Sequence, residues 1–176
     1  MPERVEITRM KQNSTNREYV LENVRKEGAL VEFASEELRD DKEVLLEAIH
    51  NNPEALEFAS DRLKSDREVV YESVSKVGWT YCYAKENLLE DKELLMAGLK
   101  LSGQILYFAS PEMRDDKEVG MIAVTNTPII IKYASNRLRE DKEIGLAAMK
   151  ASKKCYDFLG PNLKKDEEIL NLRDNS

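Results

Sequence analysis

Sliding the chain over itself by 25 residues brings Asn16, Asp41, Asp66, Asp91, Asp116, Asp141 and Asp166 into one column without an insertion. Two positions on lies a second column, Glu18, Glu43, Glu68, Glu93, Glu118, Glu143 and Glu168, followed by the apolar Tyr19, Val44, Val69, Leu94, Val119, Ile144 and Ile169. Self-similarity at a fixed period of this length marks a stack of small supersecondary units. A unit this small does not bury the apolar faces of its own helices, so stability must come from neighbour-to-neighbour interfaces. The chain is therefore expected to be all-α, an α-solenoid of about six 25-residue helix-turn-helix repeats.

Each copy predicts two helices. An Asp whose carboxylate accepts from the free N–H groups of the first turn is a strong N-cap, and a Glu two residues later suits the positive end of the helix dipole. The first helix of the second copy thus begins near Lys42 and carries Val44, Leu45, Leu46, Ala48 and Ile49, an apolar arc wide enough for packing on both sides. It ends near Asn51, where Asn52-Pro53, like Thr127-Pro128 three copies later, predicts an N-cap followed by Pro at the first position of a second helix. Gly28, Gly78 and Gly103 share the Pro column.

The second helix carries an aromatic column, Phe33, Phe58, Tyr83, Phe108, Tyr133 and Phe158, beside a small one, Ala34, Ala59, Ala84, Ala109 and Ala134. Aromatics at this spacing in an apolar face are expected to be core, large against small, rather than a stacking platform for bases or sugars. A Ser at 35, 60, 110 and 135 predicts a short capped turn before the next Asp, with Leu38, Leu63, Leu88, Met113, Leu138 and Leu163 as a further apolar column. One repeat domain is expected over 1–176: a cap over 1–14, repeats over 16–169 and a tail over 170–176.

Composition narrows the function classes. With 41% apolar residues the chain has material for a core, while a net charge of −7 opposes a role in tracking phosphates. The opening MPERVEITRMKQN is charged throughout, and no segment has the roughly 18 uninterrupted apolar residues of a membrane span, so a soluble, intracellular (cytoplasmic) protein is expected. Cys82 and Cys155 sit in different copies and predict buried thiols rather than a disulfide framework.

Nothing in the pattern has the makings of a catalytic or metal site. His50 is the single histidine, in a column otherwise held by Arg25, Ser75, Lys100, Thr125 and Lys150, and predicts a solvated side chain. The pairs Asp40-Asp41 and Asp115-Asp116 fall where helices start and predict capping rather than cation binding. The expectation is no enzyme, no cofactor and no metal.

The segment LRDDKEVLLEAIHNNPEALEFASDRLKSDREVV (38–70), with its D-[KR]-E-[VL] start and its ALEFAS second helix, resembles the repeat family known as domain of unknown function 4116. LYFASPEMRDDKEVG (106–120) repeats the signature, and the resemblance covers roughly 16–169. It implies tandem repeats and brings no reaction and no catalytic residues. The third copy departs from the pattern, with Lys85 where the others have Ser after Ala, which puts its short turn in question.

Function in such scaffolds resides in columns the repeat leaves free. Ala29, Glu54, Trp79, Gln104, Ile129 and Lys154 form one, and Glu32, Glu57, Cys82, Tyr107, Lys132 and Asp157, three residues on, share its face. Charged ends flank an apolar middle. On the first helix the ion pairs predicted for Glu22/Lys26 and Glu72/Lys76 give way to Ala97/Leu101 and Ile122. The candidate partner-binding residues are Trp79, Cys82, Tyr107, Ile129, Leu101 and Ile122, taken as part of an exposed stripe for another protein or peptide. Burial of these residues within the monomer is the competing reading, and a homodimer through the same stripe is a third. The alternative function is nucleic-acid or nucleotide binding in a solenoid groove, which needs cations such as Arg25, Lys76, Lys100 and Lys150 to converge.

Overall fold

The structure, a computed structural model, describes residues 5–174. All secondary structure among them is helical. Each copy folds from three pieces where the sequence predicts two: in the second copy an α-helix Lys42–Asn51, a 3-10 helix Pro53–Phe58 and a one-turn α-helix Asp61–Lys64. The second helix is thus 3-10, and the expected capped turn is a helix of its own.

The capping columns behave as their chemistry predicts. Asn16, Asp41, Asp66, Asp91, Asp116, Asp141 and Asp166 each accept a backbone N–H from the turn they precede, as in Val44 N–H to Asp41 Oδ1 at 3.2 Å. Ser35, Ser60, Ser110 and Ser135 do the same for Leu38, Leu63, Met113 and Leu138. Asn52 caps the 3-10 helix after it, whereas Thr127 makes no side-chain cap. Without a Ser at position 85, the third copy forms only a 3-10 turn, Glu86–Leu88, with Leu88 N–H on the Lys85 carbonyl.

The chain divides into two units, residues 1–88 and 89–176. In the first, the long helices Arg17–Val24, Lys42–Asn51 and Arg67–Val74 pack in sequence, and the 3-10 helices Gly28–Phe33, Pro53–Phe58 and Gly78–Tyr83 form a second layer beside them. Helix Val5–Gln12 lies against the first 3-10 helix and buries Met10. Residues 1–4 of the expected N-terminal cap lie outside the described residues.

In the second unit, Lys92–Leu99, Lys117–Asn126, Lys142–Ala151 and Glu167–Asp174 make the long-helix layer, and Gly103–Phe108, Pro128–Tyr133 and Lys153–Phe158 make the 3-10 layer. Residues 175–176 of the expected tail lie outside the described residues. Each unit has the two-layered, copy-upon-copy packing of an α-solenoid.

Carboxylates join successive copies in a way the sequence reading did not foresee. The capping Asp and the Glu two residues on share the cation that follows the previous copy's cap: Arg17 with Asp41 and Glu43, Lys42 with Asp66 and Glu68, Lys92 with Asp116 and Glu118, Lys117 with Asp141 and Glu143, Lys142 with Asp166 and Glu168. Of the acidic pairs, only Asp41 and Asp116 cap long helices. Asp40 binds Ser60 and Arg62 in the next copy, and Asp115 binds Ser135 and Arg137.

At Gly28 the two layers of the first unit approach closely. A Cβ there would fall on the Ala48 carbonyl oxygen, so only the bare backbone fits beneath the next long helix.

Candidate functional site

Three residues per turn decide which side chains of a 3-10 helix face the core. In Gly103–Phe108 and the cap after it, Gly103, Leu106 and Ala109 are buried in one row and Ile105 is buried beside them; Gln104 and Tyr107 form the outward row. The aromatic column closes each 3-10 helix at its last residue. Phe33, Phe58, Tyr83, Tyr133 and Phe158 are half-buried and Phe108 is exposed, which corrects the expectation that this column is core. Lysines cover several of the rings instead: Lys11 over Phe33 at 5.2 Å, Lys64 over Tyr83 at 5.9 Å, Lys132 over Tyr133 at 4.7 Å.

Among the described residues the exposed large apolar side chains are Val5, Trp79 (40% exposed), Leu101 (55%), Tyr107 (56%) and Phe108 (44%). In the first unit Trp79 and Cys82 share the 3-10 helix Gly78–Tyr83. Trp79 meets the Tyr83 ring edge-on at 5.4 Å, and Tyr83 Oη donates to Glu57 Oε2 at 2.9 Å. Cys82 is half-buried, and burial pushes its thiol up, as it does that of Cys155.

In the second unit Tyr107 and Ile129 come together. They line an open groove with Gln104, Phe108, Lys132 and Tyr133, formed where the 3-10 helices Gly103–Phe108 and Pro128–Tyr133 lie side by side. Its volume of about 350 Å³ is at the low end for ligand pockets and suits a side chain or two. The rings hold one another edge to face, Tyr107 on Tyr133 at 4.9 Å and on Phe108 at 5.1 Å. Leu101 follows the helix Lys92–Leu99 in a turn, and the half-buried Ile122 lies on Lys117–Asn126; neither lines the groove.

The groove also differs electrostatically from its surroundings. Residues 119–139 and 94–111 contain no Asp or Glu in a chain that has 34 of them. The outward rows of the first unit, by contrast, present Glu32, Glu54 and Glu57. Sequence reasoning missed Phe108, Tyr133 and Lys132 as site residues; the three-residue period of buried Gly103, Leu106 and Ala109, carried to the next copy, places Lys132 in the outward row, whereas Phe108 and Tyr133 follow the buried Ile105 and Ile130 by three residues and carry no such signal.

The cations named for a nucleic-acid groove are in part engaged by neighbours. Arg25 pairs with Glu47 at 3.2 Å and Lys76 with Glu72 at 2.6 Å. His50 is exposed, with Nε2 3.2 Å from Glu72.

The sequence model of a family described as Domain of unknown function (DUF4116) matches residues 16–64, 43–89, 66–114, 91–139 and 116–164. The chain belongs to the DUF4116 family. Successive DUF4116 windows overlap by about half, so the family's unit is a pair of 25-residue copies. The window 91–139 holds both the clamp from Lys92 to Asp116 and the whole lining of the groove. No curated protein and no solved structure matches the chain. No described helix is long and apolar enough to cross a membrane.

Proposed function

We propose that this chain is a non-catalytic protein–protein interaction scaffold that receives a partner on the outward rows of its 3-10 helices. The observation that carries this reading is the groove of the second unit, where Tyr107 and Phe108 are exposed beside Tyr133 and Ile129. Aromatic side chains held rigidly by their neighbours at the surface are the usual anchors of protein interfaces. Trp79 supplies a similar anchor in the first unit.

Other features support a role without catalysis or cofactor. The single histidine lies at the surface beside one carboxylate, and both thiols are pushed toward the protonated, unreactive form. A soluble, intracellular setting accords with two cysteines that lie in separate copies and share no disulfide. Nucleic-acid binding has less support, because Arg25 and Lys76 are engaged by Glu47 and Glu72 and the net charge is −7.

Affinity capture from cells that produce the chain tests the reading, with wild type run against a Trp79→Ser/Tyr107→Ser/Ile129→Ser variant shown by circular dichroism to be folded. A partner retained by wild type and lost by the variant is expected. Equal retention by both would move the interaction away from these rows, and co-purifying nucleic acid lost from the variant would favour the other reading.

A further inference from the structure

Resting on the interaction reading, we propose that the groove of the second unit takes an acidic peptide: a segment whose single large apolar side chain enters between Tyr107, Ile129 and Tyr133 while a flanking carboxylate meets Lys132. The apolar half of this match is the groove itself, walled by rings already packed edge to face, which loses little entropy when filled.

The charged half comes from Lys132. It is exposed on the groove's edge, forms no ion pair among the described residues, and has its Nζ 4.7 Å above the Tyr133 ring. The cations that begin long helices at Lys42, Lys92, Lys117 and Lys142 are clamped by carboxylates of the following copy; Lys132, on a 3-10 helix, has no such clamp. With no Asp or Glu in residues 119–139 or 94–111, the chain itself supplies no acid from the two helices that form the groove. On the next 3-10 helix Lys154 takes the register of Ile129 and Asp157 that of Lys132, so the recognition is confined to Gly103–Phe108 and Pro128–Tyr133. A basic or neutral segment would leave Lys132 unpaired or repelled, whereas an acidic one gains a charge-assisted contact.

Single-stranded nucleic acid also combines negative charge with flat rings. It fits less well here, because tracking a backbone takes several cations and only Lys132 lines the groove, and because Tyr107, Phe108 and Tyr133 meet one another edge to face rather than lying as open parallel platforms.

The test is selection of short random-sequence peptides displayed on phage against the whole chain, with counter-selection on a folded Tyr107→Ser/Tyr133→Ser variant. Enriched peptides are expected to carry Asp or Glu around one aromatic or large aliphatic residue, and to bind Lys132→Glu about tenfold more weakly than wild type, with Lys132→Gln between the two. Enrichment of basic or neutral peptides that still need Tyr107 and Tyr133 would overturn the acidic preference and leave the interaction groove standing. Failure to enrich any peptide that depends on those tyrosines would overturn both. Displacement of the selected peptides by an oligothymidylate that itself binds through Tyr107 and Lys132 would overturn the proposal in favour of nucleic acid.

Discussion

Lys92 Nζ lies 2.7 Å from Asp116 Oδ2, while the other oxygen of that carboxylate accepts the Val119 N–H at 3.1 Å. One side chain thus starts a helix and ties it to the copy before it. The D-[KR]-E signature is explained by this double use: Asp caps, Glu118 shares the cation, and Lys117 reaches forward to Asp141 and Glu143 in turn.

The cap and the ion pair are separable. Asp116→Ala, which removes both, is expected to cost about 1–2 kcal/mol in urea unfolding, in the range of lost N-caps. Asp116→Ser keeps an accepting oxygen for Val119 and is expected to recover most of that loss, because exposed ion pairs contribute little. Equal destabilisation by the two variants would mean that the clamp, not the cap, dominates.

The same carboxylates set the acid limb of stability. At Asp41 the bond from Arg17 and the N–H groups of Val44 and Glu43 hold the carboxyl below its ordinary value. At Asp66, Asp116 and Asp141 partial burial pushes upward, but Lys42, Lys92 and Lys117 together with the helix N–H groups outweigh it. Folded values below the unfolded one mean that this stabilisation is fully present above about pH 4 and is lost as pH falls through the folded values. For Lys42, Lys92, Lys117 and Lys142 the values are raised by those same partners, so their contribution is complete below about pH 10 and is lost as pH rises further. Melting temperature is expected to be level between these limits and to fall below about pH 4, with a shallower fall in Asp116→Ser.

Two glycines should respond differently to a methyl group. Gly28→Ala sets a Cβ against the Ala48 carbonyl and the Asn52 backbone, which side-chain motion does not relieve, and is expected to cost about 1–3 kcal/mol. Gly145→Ala meets only the branched ends of Leu163 and Leu159 and gains helix propensity of about 1 kcal/mol, leaving little net change. Thermal melts of the two single variants check the contrast.

Ser73 and Thr80 are fully buried polar residues in columns that are otherwise mostly apolar. Their hydroxyl oxygens lie 2.7 Å apart, with Ser73 within reach of the Pro53 carbonyl and Thr80 of the Val77 carbonyl. Removing one partner leaves the rest of this chain underused, so Ser73→Ala alone is expected to cost about 1 kcal/mol, whereas Ser73→Ala/Thr80→Val is expected to be closer to neutral than the sum of its parts. A double-mutant cycle in urea measures the coupling.

How much of this was legible follows from the length over which each signal acts. Caps are local: an Asp, Ser or Asn and the N–H two or three residues on lie within one turn, so Asp41, Ser60 and Asn52 could be read directly. The 3-10 helices could not, because over six residues a period of 3.0 and one of 3.6 drift apart by less than a side-chain position until the last residue, which is where Phe108 and Tyr133 sit. The aromatic column at that last position is half-buried, and exposed at Phe108, where core was expected. The cation clamp stood in plain view as a column of Arg17, Lys42, Lys92, Lys117 and Lys142, but its partners are 24 and 26 residues away, beyond the neighbour rule that found Glu22–Lys26 and Glu72–Lys76. Trp79, Tyr107 and Ile129 stand out in the sequence because the repeat does not dictate them; the groove around the last two arises only from the packing of two 3-10 helices.

Binding of a protein partner on the outward rows of the 3-10 helices is open to site-specific photocrosslinking. A benzophenone amino acid is placed at Tyr107 in the groove or, in a separate variant, at the exposed Glu118 on the long helix Lys117–Asn126, and irradiated in cells that produce the chain. A discrete protein adduct is expected from position 107 and none from position 118. Adducts from position 118 alone, or the same adducts from both positions, would contradict it.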